Sequence, residues 1–148
     1  MFSSSVPLAI MVLAGAMVAL QAPINATVSR AAGSPVNATL VSFLVGTVAL
    51  GILVLSLRIP LDSAAIRQLP WWAWLGGLCG AAFVSGAAYA MPKLGVASAL
   101  TIAIGAQLLT AVLLDHAGAF GQPMRQVTWS RALGVMLVAV GATIVRRG

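Results

Sequence analysis

Acidic side chains are almost missing from this chain. Asp62 and Asp115 are the only two, and charged residues together make up 7% of the 148 positions. An ordinary soluble domain carries roughly 25%, so these few charges cannot cover a surface that faces water. Cysteine and histidine are just as scarce. Cys79 is the single cysteine and His116 the single histidine, which excludes an intrachain disulfide and any metal-ligand spacing. No nucleophile–base pair and no phosphate-binding loop is present, so neither an enzyme nor a cofactor is expected. The eight basic residues give a net charge of +6 and a pI near 11.6. They stand singly or in pairs between apolar stretches, as helix-end anchors in a headgroup region do. They form no phosphate-binding patch, and nucleic acid is not an expected partner.

What the chain has instead is apolar length. Hydrophobic residues make up 61%, and the mean hydropathy is +1.06. Uncharged apolar runs of about 18 or more residues read as membrane spans. Five runs stand out, at about 6–28, 36–57, 71–91, 94–114 and 131–145, and none holds a Lys, Asp or Glu. They are continuous rather than alternating, which points to helices and not to a barrel. Trp71, Trp72 and Trp74 open the third run as an interfacial aromatic belt would. The last run is the shortest, and snorkelling of Arg131 and Arg146 extends its reach. Val6 to Leu20 followed by Ala22 has the outline of a signal peptide, yet Met1 to Ser5 carries no Lys or Arg. An uncleaved first helix is therefore expected. The expected fold is an all-α integral membrane protein, with one five-helix domain over 1–148 embedded in the lipid bilayer.

The positive-inside rule should orient such a chain. Assigning the connectors alternately to the two sides puts Arg30, Lys93, Arg146 and Arg147 on one and Arg58, Arg67, Arg125 and Arg131 on the other. Four stand against four, so the bias is zero. A zero bias favours insertion in both orientations and pairing of two opposed copies. Because the span count is odd, that pair is an antiparallel ten-helix homodimer with inverted-repeat symmetry. Secondary transporters often build the same arrangement within one chain, with substrate sites near the midplane at the repeat interface.

Polar residues inside the runs are few, and each is a candidate. Gln21 and Asn25 are four apart and share a face of the first helix, with Pro23 between them removing an amide donor. An amide in hydrocarbon is costly unless paired, so both should face protein or a water-filled cavity. Interhelical bridging and substrate lining both remain open for this pair. The same two readings hold for Gln107, mid-way along the fourth run among Gly105 and Ala106. Tyr89 shares a face with Ser85 and is either an interface anchor or an aromatic wall for a solute. Gly76 and Gly80 form a GxxxG pair, and Ala82, Gly86 and Ala90 continue small residues at four-residue spacing, which lets helices approach closely and says packing. Asp115 and His116 close the fourth run. They can bond to each other at the mouth and are candidates for coupling or gating, although a polar helix end accounts for them as well.

Certain stretches carry a resemblance. Leu20-Gln21-Ala22-Pro23-Ile24-Asn25 followed by Ser42-Phe43-Leu44-Val45-Gly46-Thr47 resembles the YdcZ family of half-size bacterial inner-membrane proteins. So do Pro92-Lys93-Leu94-Gly95-Val96-Ala97, Gly105-Ala106-Gln107-Leu108-Leu109, and the run from Leu114 to Gly121. The likeness covers nearly the whole chain. It implies a multi-pass protein of the bacterial inner membrane, in a family that is placed in the drug/metabolite transporter superfamily and has members as single dual-topology chains, oppositely oriented pairs and fused ten-helix proteins. It carries over Gln21, Asn25, Gln107 and Asp115 as family-pattern positions. Ala106 departs from a pattern that looks more like glycine there. The related small multidrug resistance proteins place a glutamate in the first helix. This chain has none, so their coupling is not transferred.

The expected function is transport of small organic solutes or metabolites by the antiparallel homodimer. Gln21, Asn25, Gln107 and Tyr89 would line a midplane site. A channel or pore is the alternative from another class, and an accessory subunit of another membrane protein is a third.

Overall fold

The computed structural model describes residues 5–147. Residues 1–4 and Gly148 lie outside the described residues, and with them most of the uncharged lead behind the expectation of an uncleaved first helix. Helix α1 runs over Ser5–Ala32 and continues through Pro23. Its 28 residues make about 42 Å, well over the roughly 30 Å of hydrocarbon. Gly33 then turns left-handed at φ +73, and Ser34 caps α2, Pro35–Ser56, by accepting from the Val36 amide at 3.1 Å. Pro35 stands in the first turn, where its missing N–H costs nothing. Asn37 reaches back to donate to the Ala32 carbonyl at 2.9 Å. The corner between the two helices is thus only two residues long and bonded on both sides.

The connector after α2 is not bare loop. Asp62 Oδ1 accepts from the Ala64 and Ala65 amides, both at 3.0 Å, and caps the short helix α3, Ser63–Arg67. This places one of the two carboxylates as a helix cap. A tight turn at Trp71–Trp74 leads into α4, Leu75–Leu94, and Pro92 falls inside the last turn of that helix. A single residue, Gly95, joins it to α5, Val96–Ala117. Its φ of +80 and ψ of 152 lie in a region essentially reserved for glycine. After the connector at 118–128 comes α6, Trp129–Arg147, whose start Thr128 caps by accepting from the Arg131 amide at 3.3 Å.

Among the described residues, five helices are long and apolar enough to cross a membrane: Ser5–Ala32, Pro35–Ser56, Trp71–Leu94, Val96–Ala117 and Trp129–Arg147. They match the five runs, with ends shifted by up to a few residues in either direction. The chain divides into two compact units, Met1–Pro92 and Lys93–Gly148. In the first, α1 packs on α2, and α2 bonds to α4 through Thr39 and Ser85. In the second, α5 packs on α6.

Every buried residue among those described belongs to α1, α2 or α4. Apart from Asn25 and Thr39 they are Ala22, Ala26, Ala38, Val84, Ala88 and Met91. Most of these are alanines, which let helix axes come close. The long aliphatic side chains of the same helices point outward, as lipid-facing positions do.

Candidate functional site

A groove of about 410 Å³ runs along α1 beside α2. Met17, Val18, Leu20 and Ile24 form its apolar wall, while Gln21, Asn25 and Ser42 supply its polar atoms. No charged residue lines it. The sequence spacing explains the pairing of the amides. Gln21 and Asn25 are one turn apart on one face of α1, so a groove along that face meets both. Gln21 lies eleven residues before the end of α1 at Ala32, about 16 Å along the axis, which is half the hydrocarbon thickness.

Pro23 shapes the backbone between them. It has no N–H to offer the Ala19 carbonyl. One turn on, the Thr27 hydroxyl donates to the Pro23 carbonyl at 3.0 Å, and Arg30 donates to Thr27 Oγ1 at 3.0 Å. The helix C-terminal to the proline is therefore tied down by side chains.

Two polar residues are buried in this unit, and they differ in how they are satisfied. Thr39 is 4% exposed and donates to the Pro35 carbonyl at 2.9 Å. Its hydroxyl also sits 2.8 Å from Ser85 Oγ on α4. Thr39 has one proton and gives it to Pro35, so Ser85 is the donor across the helices. Asn25 is also 4% exposed, but its amide bonds to no other described residue. The Gln21 amide and the Ser42 hydroxyl, both half-buried in the same groove, likewise have no partner among the described residues.

The other candidates lie elsewhere. Tyr89 is on α4, 58% exposed, and does not line the groove. Gln107 is on α5 in the second unit, exposed, and close to the middle of its helix. Of the three packing glycines, Gly80 meets the Phe43 ring of α2. A Cβ there would come within 3.2 Å of Phe43 Cζ. At Gly76 and Gly86 a Cβ would meet nothing within 4 Å.

Asp115 and His116 do not bond to each other. The Asp115 carboxylate accepts from Arg131 Nη2 of α6 at 2.8 Å. Its backbone carbonyl accepts from the Arg125 amide at 2.8 Å and from Gly118 at 3.3 Å. Gly118 takes φ +60, and a Cβ on it would lie 3.4 Å from the Gln122 carbonyl oxygen. The end of α5, the connector and the start of α6 are thus clasped around one residue. His116 is exposed.

The sequence pattern singles out Gln21 and Asn25 and marks Arg131 only as a span-end anchor, but it does not point to Ser42 or Thr39 as site residues. Ser42 carried a signal, four residues before Gly46 in one of the stretches of resemblance. Thr39 and the pairing of Arg131 carried none, because the partners are distant in sequence.

Five apolar spans define a multi-pass membrane protein. A family model described as "Putative inner membrane exporter, YdcZ" matches residues 6–144. The chain belongs to that family and is a multi-pass protein of the bacterial inner membrane. Among curated proteins it is similar to the inner membrane protein YdcZ of Escherichia coli (strain K12), at 25% identity over 98% of this chain and 97% of that one. No solved structure matches it. The family's description suggests a membrane transporter rather than an enzyme.

Proposed function

We propose that this chain is a transporter of small organic solutes or metabolites, with its substrate site near the bilayer midplane. The observation that carries this is the groove on α1, where Gln21 and Asn25 bring two unbonded amides to one apolar recess at depth. The working unit is two copies of the single five-helix domain inserted in opposite orientations. The four-against-four division of basic residues supports it. The open faces at Gly76 and Gly86 are where a second copy would approach closely. Gln107 supplies a further mid-depth amide, and Tyr89 an aromatic wall. Asp115 and His116 act at the gating end of α5. No carboxylate stands within a span interior, which favours neutral or weakly polar solutes, since charge at depth usually marks an ion or proton pathway.

In liposomes the purified protein should take up neutral solutes saturably and show counterflow. Replacing Gln21, Asn25 and Gln107 together by alanine should lower that uptake at least about tenfold, as expected for losing buried hydrogen bonds to a substrate. Normal uptake by the triple variant removes the site assignment. C-terminal reporters active only in the cytoplasm and only outside it should both give signal, and signal from one alone removes the dual topology.

A further inference from the structure

We propose that Asn25 is the anchor of the α1 groove for uncharged molecules that present a hydrogen-bond donor and acceptor side by side. A primary carboxamide, a lactam or a urea on an apolar body has that chemistry. The inference rests on the transporter reading and adds the class of substrate.

The physical case starts from the contrast with Thr39. Both residues are 4% exposed, yet the Asn25 amide atoms are not among the buried atoms that lack a partner, so what little of Asn25 is accessible is its amide, open to the groove. Thr39 is bonded twice. Asn25 is bonded to no described residue, and its side chain lines the groove. Serving as interhelical glue would require a partner on α2 or α4, and Asn25 has none. Its amide offers one donor face and one acceptor face. A ligand amide satisfies both at once through a reciprocal pair of hydrogen bonds.

The groove excludes the other classes. A carboxylate or an ammonium would find no opposite charge among the lining residues and would have to shed its hydration unpaired. A purely apolar molecule would leave Asn25 unbonded, and one that only accepts would take its amide N–H and leave its carbonyl unsatisfied. The aliphatic wall of Met17, Val18, Leu20 and Ile24 suits a flat or branched apolar body. Met17 adds a flexible side chain that adapts to shape. A groove of about 410 Å³ is at the lower end of small-molecule sites, which span roughly 300–1,000 Å³. Gln21, one turn nearer the midplane, makes the second contact.

Three probes of one shape test the proposal: benzamide, acetophenone and benzoate. The full-length protein is held in lipid nanodiscs of phosphatidylethanolamine and phosphatidylglycerol. Equilibrium binding is read by ligand-observed NMR, with empty nanodiscs as the control for partition. Benzamide should bind about tenfold or more tightly than either analogue, the discrimination a site built to hydrogen-bond shows against a ligand lacking the group. Asn25→Leu should bring benzamide down to the level of acetophenone without lowering the thermal midpoint, because it removes a group that has no partner. Gln21→Ala should weaken benzamide less.

Equal binding of benzamide and acetophenone overturns the proposal. So does a preference that survives in Asn25→Leu, or a marked loss of stability in that variant, which would assign Asn25 to packing. Binding of none of the three also overturns it, and means that water or lipid satisfies the amide. The transporter reading is tested separately. Amide-selective binding without counterflow removes that reading and leaves the site, whereas counterflow without amide selectivity does the reverse.

Discussion

Residues 1–92 bury a cluster of small side chains on three helices, whereas residues 93–148 bury none among those described. The first unit holds together through side-chain packing at depth. Ala22 and Ala26 of α1 and Ala38 of α2 are buried, and Thr39 bonds to Ser85 across α2 and α4. In the second unit α5 packs along α6, as at Gly105, where a Cβ would lie 3.9 Å from Val138, but no described side chain there is buried. Its polar ties are at the helix ends, through Asp115, Arg131 and the Arg125 amide. In lipid, large apolar side chains gain little by leaving one another or by meeting, because the tails are equally apolar. Association must then come from close backbone approach or from polar contacts. The first unit buries small residues and a polar contact at depth, and the second adds polar contacts at its end to the packing of α5 on α6.

That difference can be broken from either side. The largest effect is expected at Ala38, which is fully buried. Ala38→Leu should lower the stability of the protein in bicelles by about 1–3 kcal/mol, the usual result of forcing extra methylenes into a packed site. Ala139→Leu, at an exposed position of α6, should stay within about 0.5 kcal/mol. Equal effects would show that the first unit is no better packed than the second.

Next in size is the clasp. Asp115→Asn should cost about 1 kcal/mol, since the pair is about one third exposed on each side and such contacts lie between surface and buried salt bridges. Arg131 Nη1 is buried without a partner already, so the charge left behind is poorly compensated. Hydrogen exchange should accelerate first at the start of α6. A purely structural clasp also predicts an unchanged pH dependence of transport in this variant, and a changed profile assigns Asp115 to coupling.

The smallest effect is expected between Thr39 and Ser85. A double-mutant cycle with Thr39→Val and Ser85→Ala should give a coupling of about 0.6 kcal/mol, the average for side-chain hydrogen bonds between membrane helices. A coupling near zero would leave alanine packing as the sole tie between α2 and α4.

Much of the architecture was legible in the residues. The five runs, the tryptophans ahead of the third, and the pairing of Gln21 with Asn25 on one face all follow from local spacing. Some helix ends were not. Helix α1 carries on past Val28 to Ala32, and α4 runs through Pro92 to Leu94, because a proline near a helix end removes a single bond and lipid penalises unwinding. The cap at Asp62 was hidden in what reads as a loop, since a helix of five residues shows no hydropathy pattern. The Asp115–Arg131 pair joins residues sixteen apart, across a connector whose left-handed turns at Gly118, Phe120 and Gly121 bring them together.

By itself, the sequence determined that the chain lives in a membrane, how many times it crosses, and that few polar groups lie at depth. Length, hydropathy and charge are local quantities, and the bilayer reads them directly. Only the tertiary structure decided which polar groups find partners. Among the described residues Thr39 finds partners and Asn25 finds none, and Asp115 takes Arg131 rather than its neighbour His116. Those outcomes depend on how each helix is turned about its own axis against the next, and in lipid no hydrophobic pattern encodes that rotation.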